Sequence, residues 1–258
     1  MNFNFQNKNI LVTGSGSGIG RAIAMSFAVE GANVIVNDID KNKAVQTINL
    51  INEAGCQASL AVFDVTNIEE VEEAFHRLLV DILINNAATV PENSLFLNTS
   101  PESCDRDIQV SLYGTMNCCR AALPGMIERS FGRIINIVSD AARAGQAREV
   151  SYSAAKGGVI SFTKSLAREV GEHHITVNAL SPAATNTPLR QELLKQIALQ
   201  IGEDKLQIRE EKIRRLYPVR RIGEVSDVSN YVMYLASDYA KFITGQIISV
   251  NGGYLMPG

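Results

Sequence analysis

Short runs of nearly uninterrupted apolar residues alternate along this chain with longer stretches whose apolar positions recur every three or four residues. Asn9–Thr13 (NILVT), Asn33–Asn37 (NVIVN), Ser59–Phe63, Asp81–Asn85, Arg133–Val138, Ile175–Leu180 (ITVNAL) and Gln246–Val250 (QIISV) read as strands. Helical periodicity covers Ile19–Glu30, Lys41–Glu53, Ile68–Leu79, Pro101–Glu128, Ser151–Glu172 and Ser226–Ser237, with Gly31 and Gly55 as stop signals after the first two. Strands that are apolar on both faces must be covered on both faces, which is the situation of a parallel sheet between helix layers. Strand–helix alternation with right-handed crossovers makes such a sheet doubly wound. The expectation is one α/β domain of about seven parallel strands, with no repeat, linker or internal boundary.

One stretch departs from the rhythm. Residues 188–222, including KLQIREEKIRRL, are helical and highly charged and have no strand to serve. An excursion of this length near a strand's C-terminal end is expected either as a solvated helix or as a lid over a substrate.

Composition narrows the picture. The 258 residues are 46% hydrophobic and carry a net charge of −3, so no electrostatic footprint for nucleic acid is present. No segment approaches the roughly 20 apolar residues of a membrane span. MNFNFQNKN lacks the basic and apolar regions of a signal peptide. Cys56, Cys104, Cys118 and Cys119 show no C-x-x-C spacing, and His173 and His174 fall at a helix–strand junction. A reduced, cytoplasmic protein without a metal site is expected.

The first strand runs into Thr13-Gly14-Ser15-Gly16-Ser17-Gly18-Ile19-Gly20, which opens the first helix. Glycines there let backbone approach a pyrophosphate, and the helix N-terminus offers free N–H groups, as in a Rossmann-type dinucleotide site. Gly14, Ser17, Gly18, Ile19 and Gly20 are therefore candidate cofactor residues. Asp38 ends the second strand, 18 residues after Gly20. Its carboxylate suits two ribose hydroxyls and repels a 2′-phosphate, and no Lys or Arg lies between Gly14 and Gly20, so NAD(H) is expected over NADP(H). Asp64, beside Val65 after the third strand, is placed either to meet the adenine edge or to cap the following helix.

A second constellation carries reaction chemistry. Ser139 is followed by Tyr152 and, one helical turn later, by Lys156 in SYSAAKGG. A phenol is a poor acid–base group at neutral pH, and an ammonium at i+4 is expected to lower its pKa. A serine hydroxyl nearby would hold the substrate oxygen.

With the glycine turn, Asp38 and Ser139/Tyr152/Lys156 in this order, the chain resembles the short-chain dehydrogenase/reductase family over essentially its whole length. Asn85-Asn86-Ala87, Gly132–Ile137, Ser181-Pro182, Phe242–Gln246 and Asn251-Gly252-Gly253 match as well. The resemblance implies that Ser139 positions the substrate oxygen, Tyr152 is the general acid or base, and Lys156 tunes Tyr152 and bonds the nicotinamide ribose. It further implies that Asn85 steadies the strand beside the cofactor, that Asn86 and Ala87 line the cofactor, and that Thr187 and the backbone near Pro182 meet the nicotinamide carboxamide. It also implies a homotetramer built on the helices 103–128 and 151–171. The chain departs from the family pattern at Ala88, which replaces a glycine, at Ala183 after Pro182, and in a short link between Phe75 and Asp81. It departs most seriously at Ser111, which stands where the family has a catalytic Asn. Ser111 is expected to tune the rate without supplying essential chemistry.

The similarity is greatest to bacterial 3-oxoacyl-thioester reductases and hydroxyacyl-CoA dehydrogenases. It implies an NAD(H)-dependent oxidoreductase of a secondary alcohol or ketone, including a substrate linked through a thioester to CoA or acyl carrier protein, with Arg143, Arg148, Arg214 and Arg215 as candidates for carrier phosphates. An NAD-linked dehydrogenase of a free alcohol, sugar or steroid is the alternative, and Ala141, Gln146 and Ala183 would then shape the pocket. A low-turnover dinucleotide-binding scaffold or sensor is the alternative of another class.

Overall fold

The computed structural model describes residues 3–256. In chain order the first elements are β1 (Asn9–Val12), α1 (Gly18–Val29), β2 (Asn33–Asn37), α2 (Lys41–Glu53), β3 (Ala58–Ala61), α3 (Ile68–Arg77) and β4 (Ile82–Asn85). Then come α4 (Pro101–Asp107), a π-helical turn (Ile108–Tyr113), α5 (Gly114–Glu128), β5 (Gly132–Ile137), α6 (Ala141–Ala144), α7 (Val150–Val170) and β6 (Ile175–Pro182). The chain closes with β7 (Thr185–Asn186), α8 (Pro188–Ile201), α9 (Glu203–Arg215), β8 (Gly223–Glu224), α10 (Val225–Ala236) and β9 (Ile247–Val250).

Seven strands form one sheet in the order β3-β2-β1-β4-β5-β6-β9, and every neighbouring pair is parallel. Alternation along each strand divides the core into two layers. Ile10, Val12, Ile82 and Ile84 point to one face, where Ile23 and Phe27 of α1, Ile51 of α2 and Val232 of α10 cover them. Leu11 and Leu83 point to the other, under Val71 of α3, Cys118 and Met126 of α5 and Leu166 of α7. Each fully buried aliphatic side chain of this kind stabilises by about 1.5–3 kcal/mol. No helix among the described residues is long and apolar enough to cross a membrane.

Strand order reverses between β1 and β4, and the crevice at that point is where ligands bind in sheets of this kind. Asn85 of β4 and Asn136 of β5 are register partners, so their side chains share a face. Asn85 Nδ2 donates to Asn136 Oδ1 at 2.9 Å, and Asn136 Nδ2 donates to Thr163 Oγ1 of α7 at 2.9 Å. This buried amide chain ties two central strands to the helix that carries Tyr152 and Lys156.

Three features differ from the sequence expectation. The helix expected over 101–128 is continuous in direction, but a wider π turn interrupts it at 108–113, and Ser111 lies inside that turn. Segment 188–222 is two helices separated by Gly202, whose φ of +85° breaks the first. Its two ends are joined by the two-residue pair β7–β8, too short to leave a periodic signal.

Removing the Asn136 amide takes an acceptor from the Asn85 Nδ2 donor and a donor from the buried Thr163 Oγ1, whose own hydroxyl donates to the Val159 carbonyl. Asn136→Ala should therefore lower unfolding free energy by about 1–3 kcal/mol in urea titrations, with an unchanged denaturant slope. A change below about 0.5 kcal/mol would show that the amide chain does not hold α7 to the sheet.

Candidate functional site

A cleft of 710 Å³ opens at the point where strand order reverses. Its floor is the turn after β1, where Gly14, Ser17, Gly18, Ile19 and Gly20 all line it. The turn is held close to the loop after β4. Asn86 Nδ2 donates to the carbonyls of Thr13 and Gly14 at 3.0 and 2.9 Å, and the N–H groups of Asn86 and Ala87 both donate to Thr13 Oγ1 at 3.1 Å. A Cβ on Gly14 would lie 2.8 Å from Ala87 Cα, and one on Gly20 would lie 2.4 Å from the Gly14 carbonyl oxygen. Only glycine allows this packing, and Gly14 also has a φ of +61°. Ser17 is the N-cap of α1, yet its side chain makes no capping bond, which leaves the first N–H groups of α1 open to the cleft.

Asp38 stands at the far end of the cleft. Its Oδ2 accepts from Gly16 N–H at 2.9 Å and its Oδ1 from Asp40 N–H at 3.0 Å, so the carboxylate is fixed while each oxygen keeps a free lone pair. Asp64, Val65, Asn86, Ala87 and Thr187 also line the cleft. The donors, the open helix end and the fixed carboxylate fit a dinucleotide: N–H groups for the phosphates at one point, an acceptor for hydroxyls at the other.

A second pocket of 350 Å³ is lined by Ser139, Tyr152, Ala183, Ala184 and, from α9 and its C-terminal end, Ile213 and Leu216. Ser139 follows β5, and Tyr152 occupies the first turn of α7. Lys156 is 2% exposed, and its Nζ donates to the Ile137 carbonyl at 2.7 Å, 5.9 Å from the centroid of the Tyr152 ring. Ser111 is fully buried, and its Oγ has no partner among the described residues.

Charge in this pocket runs against the sequence expectation. Burial pushes the Tyr152 phenol up to about 12, with the Ser139 hydroxyl opposing the rise and Glu149 and Asp107 adding to it. Lys156 itself falls to about 8 because burial disfavours its ammonium. The two acids were not legible as neighbours of Tyr152. Asp107 is buried on α4, where it accepts from Thr89 Oγ1 and from Ser151 Oγ, the latter at 2.5 Å.

Further expectations are revised. Asp64 does not cap α3; Asn67 does, accepting from the N–H groups of Glu69 and Glu70, while Asp64 accepts from Thr66. Pro182 is buried at the end of β6, outside both pockets, with its carbonyl accepting from Asp140 N–H. Arg143 is turned away to Ser249 Oγ at 2.7 Å, whereas Arg214 and Arg215 make only exposed ion pairs with Glu211. Sequence reasoning missed Lys43 and Arg106 in the large cleft and Glu149, Tyr217 and Tyr254 in the smaller one. They come from loops and helices that no motif marks.

The chain resembles known proteins over nearly its whole length. The family model described as Enoyl-(Acyl carrier protein) reductase matches residues 14–255. A 3-oxoacyl-(acyl-carrier-protein) reductase of Staphylococcus epidermidis is 36% identical, covering 97% of this chain and 100% of the relative. The (2S)-((R)-hydroxy(phenyl)methyl)succinyl-CoA dehydrogenase subunit of Thauera aromatica is also 36% identical, over 96% of each chain. Among solved structures, a 3-oxoacyl-(acyl-carrier protein) reductase with bound NAD from Brucella melitensis superposes with a TM-score of 0.86 at 31% identity, covering 97% of this chain and 92% of that one.

The buried ammonium has a consequence for stability. Between pH 8 and 10.5 the unfolded chain holds the Lys156 proton while the folded chain has released it, so this group raises stability as pH rises through that window. Lys156→Met should therefore be more stable than the parent by about 1–3 kcal/mol at pH 7, and the difference should shrink towards pH 10. Parallel urea titrations across this range check it; a difference independent of pH would mean that Lys156 is not held as a desolvated amine.

Proposed function

The chain belongs to the short-chain dehydrogenase/reductase family, and from that premise we propose that it interconverts a secondary alcohol and its ketone with NAD(H), using Tyr152 as the acid–base group. It is an oxidoreductase of the class that binds a nicotinamide dinucleotide. The observation that carries the reading is the meeting of Ser139 and Tyr152 in one pocket, with Lys156 buried one helical turn behind.

When bound, the dinucleotide supplies or accepts the hydride. Every other role falls to the chain. The Ser139 hydroxyl donates to the substrate oxygen and fixes its distance from Tyr152. In reduction the Tyr152 O–H protonates that oxygen; in oxidation the phenolate takes the proton back. A phenol raised to about 12 is in its donor form at neutral pH, which suits the reductive direction as the pocket stands. Lys156 supplies the positive charge that would favour the phenolate once its ammonium is retained. Asp38, held by two N–H groups, supports NAD(H) over NADP(H), since a 2′-phosphate there would meet a fixed negative charge. The neighbouring Lys43 pairs with Asp40 at 3.5 Å.

The names of the relatives support a 3-hydroxyacyl or 3-oxoacyl thioester, carried by CoA or acyl carrier protein, as the substrate. A second reading, a free alcohol, is favoured by the charge lining of the smaller pocket. Helices α8 and α9 act as a lid in this proposal: Ile213 and Leu216 line the smaller pocket and Leu189 of α8 lines the larger cleft. A homotetramer is supported by open space beside Gly157 on α7 and by the fully exposed Phe242 ahead of the edge strand β9. Four unpaired cysteines support a reducing, cytoplasmic setting.

Tyr152→Phe should lower kcat by about 10²–10⁴-fold while NADH affinity, followed by fluorescence titration, stays within about threefold. Ser111→Ala should keep more than about a thousandth of the parent turnover, because the orphaned hydroxyl only modulates proton movement. Activity of Tyr152→Phe within about tenfold of the parent would remove Tyr152 from the chemistry, and a larger loss in Ser111→Ala would make Ser111 essential.

A further inference from the structure

Glu149 is the one acidic side chain of the smaller pocket that the fold leaves without work. Asp140, also at this pocket, is buried and accepts from Ser181 Oγ at 2.6 Å and from Asn251 Nδ2 at 2.5 Å. Asp107, behind it, is taken by Thr89 and Ser151. Glu149 is half-buried at the start of α7, three residues before Tyr152, and its carboxylate makes no hydrogen bond or ion pair among the described residues. A carboxylate in that position is desolvated without compensation, and it faces the space a substrate must occupy.

The same pocket has no Lys or Arg in its described lining. Of the cations on surrounding elements, Arg143 is held by Ser249 and the Ile247 carbonyl and Arg190 by Glu210, Lys156 is buried behind Tyr152 on the Ile137 carbonyl, and Arg148 beside Glu149 is exposed to solvent. At 350 Å³ the pocket is at the small end of ligand sites. A small pocket that offers hydroxyls from Ser139 and Tyr152, one unspent carboxylate and no cation in its own lining favours a ligand that brings its own donor. It repels a ligand that brings an anion.

We propose that Glu149 is the specificity-determining residue of this pocket: its carboxylate receives a hydroxyl or ammonium group next to the reacting carbinol and rejects substrates that carry a carboxylate there. The substrate class is thus a small polyhydroxy or amino alcohol. The proposal rests on the reading of Ser139 and Tyr152 as the reacting site, and it develops the free-alcohol branch of that reading. Glu149 acts on substrate choice and takes no proton in the reaction.

Three secondary alcohols of nearly equal size separate the terms: 1-amino-2-propanol is a cation, 1,2-propanediol is neutral and lactate is an anion. NAD reduction is followed for each with the parent enzyme and with Glu149→Gln, and acetoacetyl-CoA with NADH serves as a separate substrate. The parent should prefer the amine to lactate by about tenfold or more in kcat/KM. Glu149→Gln keeps the size and removes the charge, so the amine-to-lactate ratio should fall by about 30-fold, through KM more than kcat. A merely structural role for Glu149 would lower all three substrates together and leave the ratio unmoved.

A parent enzyme that prefers lactate, or a ratio that shifts by less than about threefold in the variant, overturns the proposal. So does an enzyme that reduces acetoacetyl-CoA but ignores all three alcohols, and that result leaves the oxidoreductase reading standing. Silence on every substrate while NADH still binds overturns the reading of the site itself, and the role of Glu149 with it.

Discussion

The hydrogen bond from Lys156 Nζ to the Ile137 carbonyl joins the first turns of α7 to the last residue of β5. Ser139 leaves the sheet two residues beyond Ile137, and Tyr152 precedes Lys156 by one turn of helix, so this bond sets the two hydroxyls against one pocket. It is reinforced on the same helix by the amide chain from Asn85 through Asn136 to Thr163. A buried ammonium with one carbonyl partner is not an efficient way to hold a helix. A methionine would pack there at less cost. The fold retains a charge that weakens it, which is the usual trade between stability and a working site.

The second constraint is close backbone packing at the reversal of strand order. The turn after β1 and the loop after β4 touch through Thr13, Asn86 and Ala87, and Gly14 and Gly20 have no room for a side chain. This contact leaves the open end of α1 and the Asp38 carboxylate facing the same cleft. The larger cleft is therefore built from backbone and strand register, and the smaller pocket from side chains on a helix, on loops and at the C-terminal end of α9. That division explains why one can be read closely from sequence and the other cannot.

Strands and helices were legible because strands buried on both faces leave unbroken apolar runs, and α2 spans the expected Lys41–Glu53, stopped ahead of Gly55. The glycine turn and Asp38 were legible because their spacing from strand ends is fixed by geometry. The π turn at Ile108–Tyr113 was not, since one extra residue in a helical turn barely disturbs apolar periodicity. The helix cap at Asn67 was not legible, and the capping alternative for Asp64 fell, because both are side chains that cap and only the backbone path decides between them. The raised pKa of Tyr152 was hidden for a different reason. Asp107, one of its causes, lies 45 residues away in sequence, and burial outweighs the effect expected from Lys156.

Both pockets converge on a claim that needs only the unmodified protein: a dinucleotide with a free ribose hydroxyl bound over Asp38, and a carbonyl reduced beside Tyr152. The direct measurement is the initial rate of nicotinamide oxidation across a panel of ketones and 3-oxoacyl thioesters, run in parallel with NADH and NADPH. The account predicts turnover of at least one carbonyl, with kcat/KM for NADH exceeding that for NADPH by about tenfold or more. Equal or greater efficiency with NADPH would contradict the role given to Asp38, and binding of NADH without turnover of any carbonyl would contradict the role given to Tyr152.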